Sequence, residues 1–189
     1  MNRIPVRLFI LTLTTALTAL VLPGSAQAAP YCGITWGSTA KAHNTAADTE
    51  MVNGVRAGRH ACFDRLVIDL GGQDISFRSY DVRYVTQVYE DGSGFAVPVR
   101  GAADLQILLT APAYDQYGNP TFAPANQREA VNVSGYSTFR QVAMAGSFEG
   151  RTTMALGVRA RLPFRVFTLN GTPASDDTPR LVIDVAHRW

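Results

Sequence analysis

From residue 62 onward, apolar and polar positions alternate in short runs. In FDRLVIDL (63–70), Leu66, Ile68 and Leu70 fall on one side and Arg65, Val67 and Asp69 on the other. A period of two marks a strand with one face in a core. Comparable runs are DVRYVTQVY (81–89), FAVPV (95–99), DLQILLT (104–110) and STFRQVAMA (137–145), then TTMALGV (152–158), FRVFTL (164–169) and RLVIDVA (180–186). EDGSG (90–94) carries an Asp-Gly turn signal, and GSFEG (146–150) separates two further runs. No amphipathic helix follows Cys62. The pattern predicts an all-β fold, a two-layer β-sandwich of about seven to eight short strands. No period of 20–50 residues repeats, which argues against a solenoid or propeller.

Upstream the pattern is weaker. Residues 29–61 are small and polar and read as a loosely structured, loop-rich segment with a short helix across 40–53. The sandwich is expected over 62–189. Residues 1–28 read as a secretory signal: Arg3 and Arg7, the apolar run LFILTLTTALTALVL, then Ala26-Gln27-Ala28 as a small-x-small cleavage pattern. Pro23 and Gly24 interrupt the apolar run early, so no membrane span is expected in the mature chain. The predicted location is extracellular, free or at the cell wall. Cys32 and Cys62 are the two cysteines. In an exported chain such a pair predicts a disulfide, here tying the N-terminal segment to the first strand.

Charge narrows the partners. Without Arg3 and Arg7, the 17 basic residues fall to the same number as the 15 acidic ones. A near-neutral chain has no global field to draw it to nucleic acid or an anionic membrane.

RLVID occurs twice, at 65–69 and 180–184. Its Arg and Asp, four residues apart, lie about 13 Å from each other along a strand and need partners elsewhere. If the two copies paired antiparallel with Val67 facing Val182, Arg65 would face Asp184 and Asp69 would face Arg180. Alternatively, each Arg and Asp ties down its own sheet edge or loop, and this reading is preferred. Under either, Arg65, Asp69 and Asp184 are framework residues.

The closing segment, PFRVFTL (163–169) and PRLVIDVAH (179–187), resembles the end of AMIN and AMIN-like domains. CFDRLVIDL is similar to the family's opening strand, and YEDGSG, AADLQILL, GSFEG and GVRARLPFRVF to its middle. The resemblance covers about 62–187. It implies a β-sandwich of two small sheets. It also implies a role in localising bacterial envelope proteins, by binding peptidoglycan or envelope machinery.

Catalytic patterns are sparse. His43, His60 and His187 have no metal-ligand spacing, and no metal or cofactor is expected. Ser38 and Lys41 have S-x-x-K spacing without its supporting motifs. Asp64, Asp69, Glu149 and Asp184 are the carboxylates a glycosidase pair would draw on. Candidate binding residues are Tyr114, Tyr117 and Phe122, in a proline-rich loop at 111–128 and able to stack on sugars. Arg165 and Arg180 could meet the carboxylates of a peptide stem. The expected function is therefore a non-enzymatic, envelope-associated binding module for peptidoglycan or another envelope component. The alternatives are an interaction or inhibitor module for an exported protein partner, and a small carboxylate-based envelope hydrolase.

Overall fold

The structure, a computed structural model, describes residues 31–44, 50–72 and 75–189. The signal segment 1–28 lies outside them. Nine strands are present among the described residues: β1 Lys41–His43, β2 Met51–Arg59, β3 Phe63–Gly71, β4 Tyr80–Val85, β5 Ala103–Leu109, β6 Phe139–Phe148, β7 Arg151–Val158, β8 Phe164–Leu169 and β9 Arg180–Ala186. They form two antiparallel sheets, a five-stranded one in the order β1-β4-β5-β7-β6 and a four-stranded one in the order β2-β3-β9-β8. The all-β sandwich expected from the alternation is the architecture observed.

The alternating residues explain the layers. Leu66, Ile68 and Leu70 of β3 and Leu181, Ile183 and Val185 of β9 point inward with Phe164 of β8. They meet Val82, Leu105, Ile107, Leu109, Leu156 and Val158 of the larger sheet. These side chains are fully buried, and each stabilises the fold by roughly 1.5–3 kcal/mol relative to exposure. The outer face of the larger sheet is built from Ala143, Ala145 and Ala155, and Val88 and Val97 of the 86–100 excursion cover it. Small residues are needed there. A Cβ on Gly157 would come within 2.0 Å of the Arg100 carbonyl oxygen.

The two RLVID copies pair with each other. β3 and β9 run antiparallel with Val67 opposite Val182, Arg65 opposite Asp184 and Asp69 opposite Arg180. The preferred expectation, separate edge or loop ties, is corrected for the strand pairing.

The N-terminal boundary also moves. β2, at 51–59, hydrogen-bonds along the whole of β3, so the sandwich begins before residue 62. In the described part of 40–53 the chain forms strand where a helix was expected. The register of β2 shifts between Val52 and Gly54. That extra residue lets Val52, Val55 and Ala57 all face the core, a spacing no simple period reveals. FAVPV, expected as a strand, contributes an isolated bridge, Tyr89 to Ala96, beside the predicted EDGSG turn. The 111–128 loop is ordered by hydrogen bonds from Val52 N–H to the Pro112 oxygen and from the Thr121 hydroxyl to the Val52 oxygen.

Asp64 ties the layers together. It is fully buried on β3. Its Oδ2 accepts the backbone N–H groups of Thr138 (2.5 Å) and Phe139 (3.2 Å) at the start of β6, in the other sheet. Its Oδ1 lies 3.1 Å from His187 Nε2. Removing a buried acceptor strands its donors. Asp64→Ala is therefore expected to destabilise the fold by about 3 kcal/mol, a drop of roughly 6–12 °C in Tm for a domain of this size. Thermal unfolding followed by circular dichroism checks this; a change within 2 °C, on the order of half a kcal/mol, would contradict the clamp.

Candidate functional site

The outer face of the four-stranded sheet carries the densest charged and aromatic cluster. Strand register sets it. Arg65, Asp184 and Arg165 stand in one row across β3, β9 and β8, and Val67, Val182 and Phe167 in the next. Asp184 has no exposure. Arg65 binds it with two donors, Nε at 2.6 Å and Nη2 at 2.9 Å, and Arg165 adds Nε at 2.8 Å. The hydrogen bond to Asp184 raises the Arg65 pKa above its ordinary value, against the opposing pull of burial. Two guanidiniums around one carboxylate leave an excess positive charge on this face.

Aromatic rings hold the cations in place. The Arg165 guanidinium lies 4.5 Å from the Trp36 ring centre, 5.1 Å from Phe167 and 5.6 Å from Phe63. Arg65 lies 5.3 Å from Phe63 and 5.5 Å from Phe167. Such contacts contribute about 0.5–1 kcal/mol each at exposed sites. The Arg165 side chain stays 41% exposed. Among the described residues only its Nε is hydrogen-bonded, so its terminal N–H groups are available to an oxyanion.

The strap over this face comes from the N-terminal segment. Cys32 and Cys62 are disulfide-bonded, as expected. Downstream of Cys32, the Gly37 oxygen accepts from Phe164 N–H on β8, and Arg161 donates to the Ser38 hydroxyl and carbonyl. Trp36 lies between these anchors, edge-on to Phe63 at 5.6 Å. Trp36, Phe63 and Phe167 were missing from the sequence-based set. The alternation Phe63-Arg65-Val67 and Arg165-Val166-Phe167 could have flagged the two phenylalanines. Nothing local could have flagged Trp36.

The predicted site residues divide: Tyr114 and Phe122 line one groove, and the arginines lie elsewhere. Arg165 joins the cluster, with framework residues Arg65 and Asp184. Asp69 and Arg180 face each other in register, yet Asp69 pairs with Arg56 on β2, and Arg180 pairs with Asp177 of the preceding loop. Thus one of the two ion pairs suggested by the repeat forms. Arg180 is held by its own loop and does not reach the Arg165 row. Phe122 is half-buried against the core. The Tyr114 hydroxyl accepts from Gly150 N–H, placing this ring in a structural bridge. Tyr117 is 80% exposed.

The catalytic alternatives are also located. Asp64 is enclosed, whereas Glu149 is exposed in the β6–β7 turn. Asp64 bonds the start of β6 and Glu149 follows its end, about ten residues or roughly 30 Å of strand. A glycosidase pair needs carboxyls about 5–10 Å apart, so these two do not form one. Lys41 donates to the Thr39 oxygen and lies 4.2 Å over Phe164, while Ser38 accepts from Arg161. Both cysteines are bonded, and no metal-holding group of side chains occurs among the described residues. No helix among them is long and apolar enough to cross a membrane.

Two expectations follow. Replacing Cys32 and Cys62 by Ala releases a loop of about 30 residues and costs about 3–4 kcal/mol on the chain-entropy model. In a Trp189→Phe background, it also shifts Trp36 emission to the red; an unchanged spectrum and unfolding midpoint would contradict the strap. In the 114–120 hairpin, Asp115 accepts from the Asn119 side chain, Asn119 N–H and Tyr117 N–H, which hold its pKa below the ordinary 3.8. A depressed carboxylate stabilises above its unfolded pKa, and that stability is lost as pH falls through the lower folded value. Amide resonances of Tyr117 and Asn119 should thus titrate with a midpoint below 3.8; a midpoint at or above it would contradict the hydrogen bonds.

Comparison with known proteins places the chain in a family. "Probable beta-glucosidase A" of Aspergillus niger is 31% identical over 117 residues, covering 61% of this chain and 13% of that protein. "Beta-glucosidase A" of Aspergillus kawachii is 30% identical over 117 residues, with the same shares. The chain thus spans a small part of the length of these curated relatives. No solved structure matches significantly. The family model described as the AMIN-like domain matches residues 50–187, from one residue before β2 to one residue after β9. The chain belongs to the AMIN-like domain family.

Proposed function

We propose that this protein is an exported, non-enzymatic module that binds a cell-envelope polymer on the outer face of its four-stranded sheet. Peptidoglycan is the ligand class we favour, held through stem-peptide carboxylates. The observation that carries this reading is Arg165. It is anchored by Asp184, stacked by Trp36 and Phe167, and still exposes its terminal donors. A fixed guanidinium loses little entropy on meeting a carboxylate, and its planar fork suits bidentate contact. Family membership supports an envelope setting, and the disulfide suits an oxidising compartment. The likeness to two β-glucosidases fits a polysaccharide setting, but it involves 13% of each protein and carries no hydrolytic activity across.

Co-sedimentation with purified peptidoglycan across a salt series tests the reading. Saturable binding is expected, weakened by salt because the contact is charged and exposed. Arg165→Ala and Trp36→Ala should each reduce affinity, the arginine by about tenfold. Absence of binding at every salt concentration would remove peptidoglycan and favour a protein partner.

A further inference from the structure

A second surface differs in charge and chemistry. Where the EDGSG turn, the 114–120 hairpin and the β6–β7 turn meet, they enclose a groove of about 380 Å³. Glu90, Asp91, Tyr114, Gly118, Pro120 and Phe148 line it, and no basic side chain does. Three contacts hold the turns together. Asp91 N–H donates to the Ala145 oxygen, and Gly150 N–H donates to the Tyr114 hydroxyl. The Phe148 ring rests on Gly92, where a Cβ would lie 3.1 Å from Phe148 Cγ and the φ of +88° also favours glycine.

Two features stand out at and beside this groove. The Asp91 Oδ2 atom is buried and has no hydrogen-bond partner among the described residues. An unmet buried carboxylate oxygen calls for an explanation. The second is a set of exposed rings, of which Phe148 lines the groove while Tyr117 and Phe95 belong to the adjoining turns. Phe148 is 50% exposed; Tyr117, beside the wall residue Gly118, is 80% exposed; and Phe95, whose oxygen accepts from Glu90 N–H, is 73% exposed.

We propose that this groove is a saccharide-binding subsite, distinct from the arginine face. Pyranose rings present C–H faces that pack on aromatic rings, and hydroxyls that donate to carboxylates. The carboxylates of the lining residues Glu90 and Asp91 supply acceptors, and the Tyr114 hydroxyl, which accepts from Gly150 N–H, retains its own proton to donate. The absence of basic lining residues disfavours an acidic peptide here, whereas the arginine face suits one. The ligand class is a neutral or N-acetylated sugar chain, whether from the cell wall or from another polysaccharide.

The test is amide shift mapping by NMR on the full chain, titrated with N-acetylchitotetraose and separately with cellotetraose. Saturable shifts at Gly92, Gly118 and Phe148 with either sugar are expected, and the better of the two identifies the source. Tyr117→Ala and Phe148→Ala should each weaken binding about two- to tenfold. Asp91→Asn, nearly isosteric, should also weaken it with the spectrum otherwise preserved. Arg165→Ala should leave sugar affinity unchanged, which separates this site from the peptidoglycan-carboxylate reading. No shifts with either sugar, shifts confined to the outer face of the four-stranded sheet, or affinity unmoved by all three groove variants would overturn the proposal. Shifts at the groove produced only by an acidic peptide would overturn it too.

Discussion

The pairing of β3 with β9 around Asp184 is the constraint on which the smaller sheet depends. Burying a lone carboxylate is costly, and the cost is offset only when charged partners and hydrogen bonds surround it. Arg65 and Arg165 supply them from the two flanking strands. A one-residue slip would turn Asp184 toward Leu181 and Ile183 and expel the core residues of one strand. The identical RLVID segments therefore fit one register, and β2 and β8 build outward from it. The ion pairs contribute to specificity of pairing as much as to stability.

The arginine face follows from the same pairing. The carboxylate that holds the register also holds two cations outward, and Phe63, Phe167 and Trp36 limit their motion. Position and charge come from a buried group; accessibility comes from the edge location of β8. A surface built on strands in this way is stiffer than one built on loops, which would lower the ordering cost of any association there. The groove beside the EDGSG turn has the opposite character, acidic and lined by the half-exposed Phe148. Asp64, bridging β3 to the start of β6, fixes the two sheets that carry these surfaces. One compact module thus presents two chemically different faces.

Much of this was legible in the residues. Seven strands from β3 to β9 follow from period-two alternation, because a sheet with one buried face forces that period. The Cys32–Cys62 pair and the AMIN-like resemblance also held. β2 escaped because the extra residue between Val52 and Gly54 resets its alternation. Tyr114 and Phe122, expected to be exposed because their loop is rich in proline, are held partly inward by the Gly150 N–H and the core, remote in sequence, and line one groove.

The sequence by itself determined the class of fold, the strand faces and the pool of arginines and aromatics. Those properties are local, set by the alternation of side chains about each strand. Tertiary structure decided which charges meet. Arg65 found Asp184 across 119 residues of chain, while Asp69 took Arg56 although Arg180 stood opposite. It also decided that Trp36 would cover Arg165 and that three separate turns would close one groove. Such partnerships depend on sheet order and on the paths of covering segments, which side-chain periodicity does not encode.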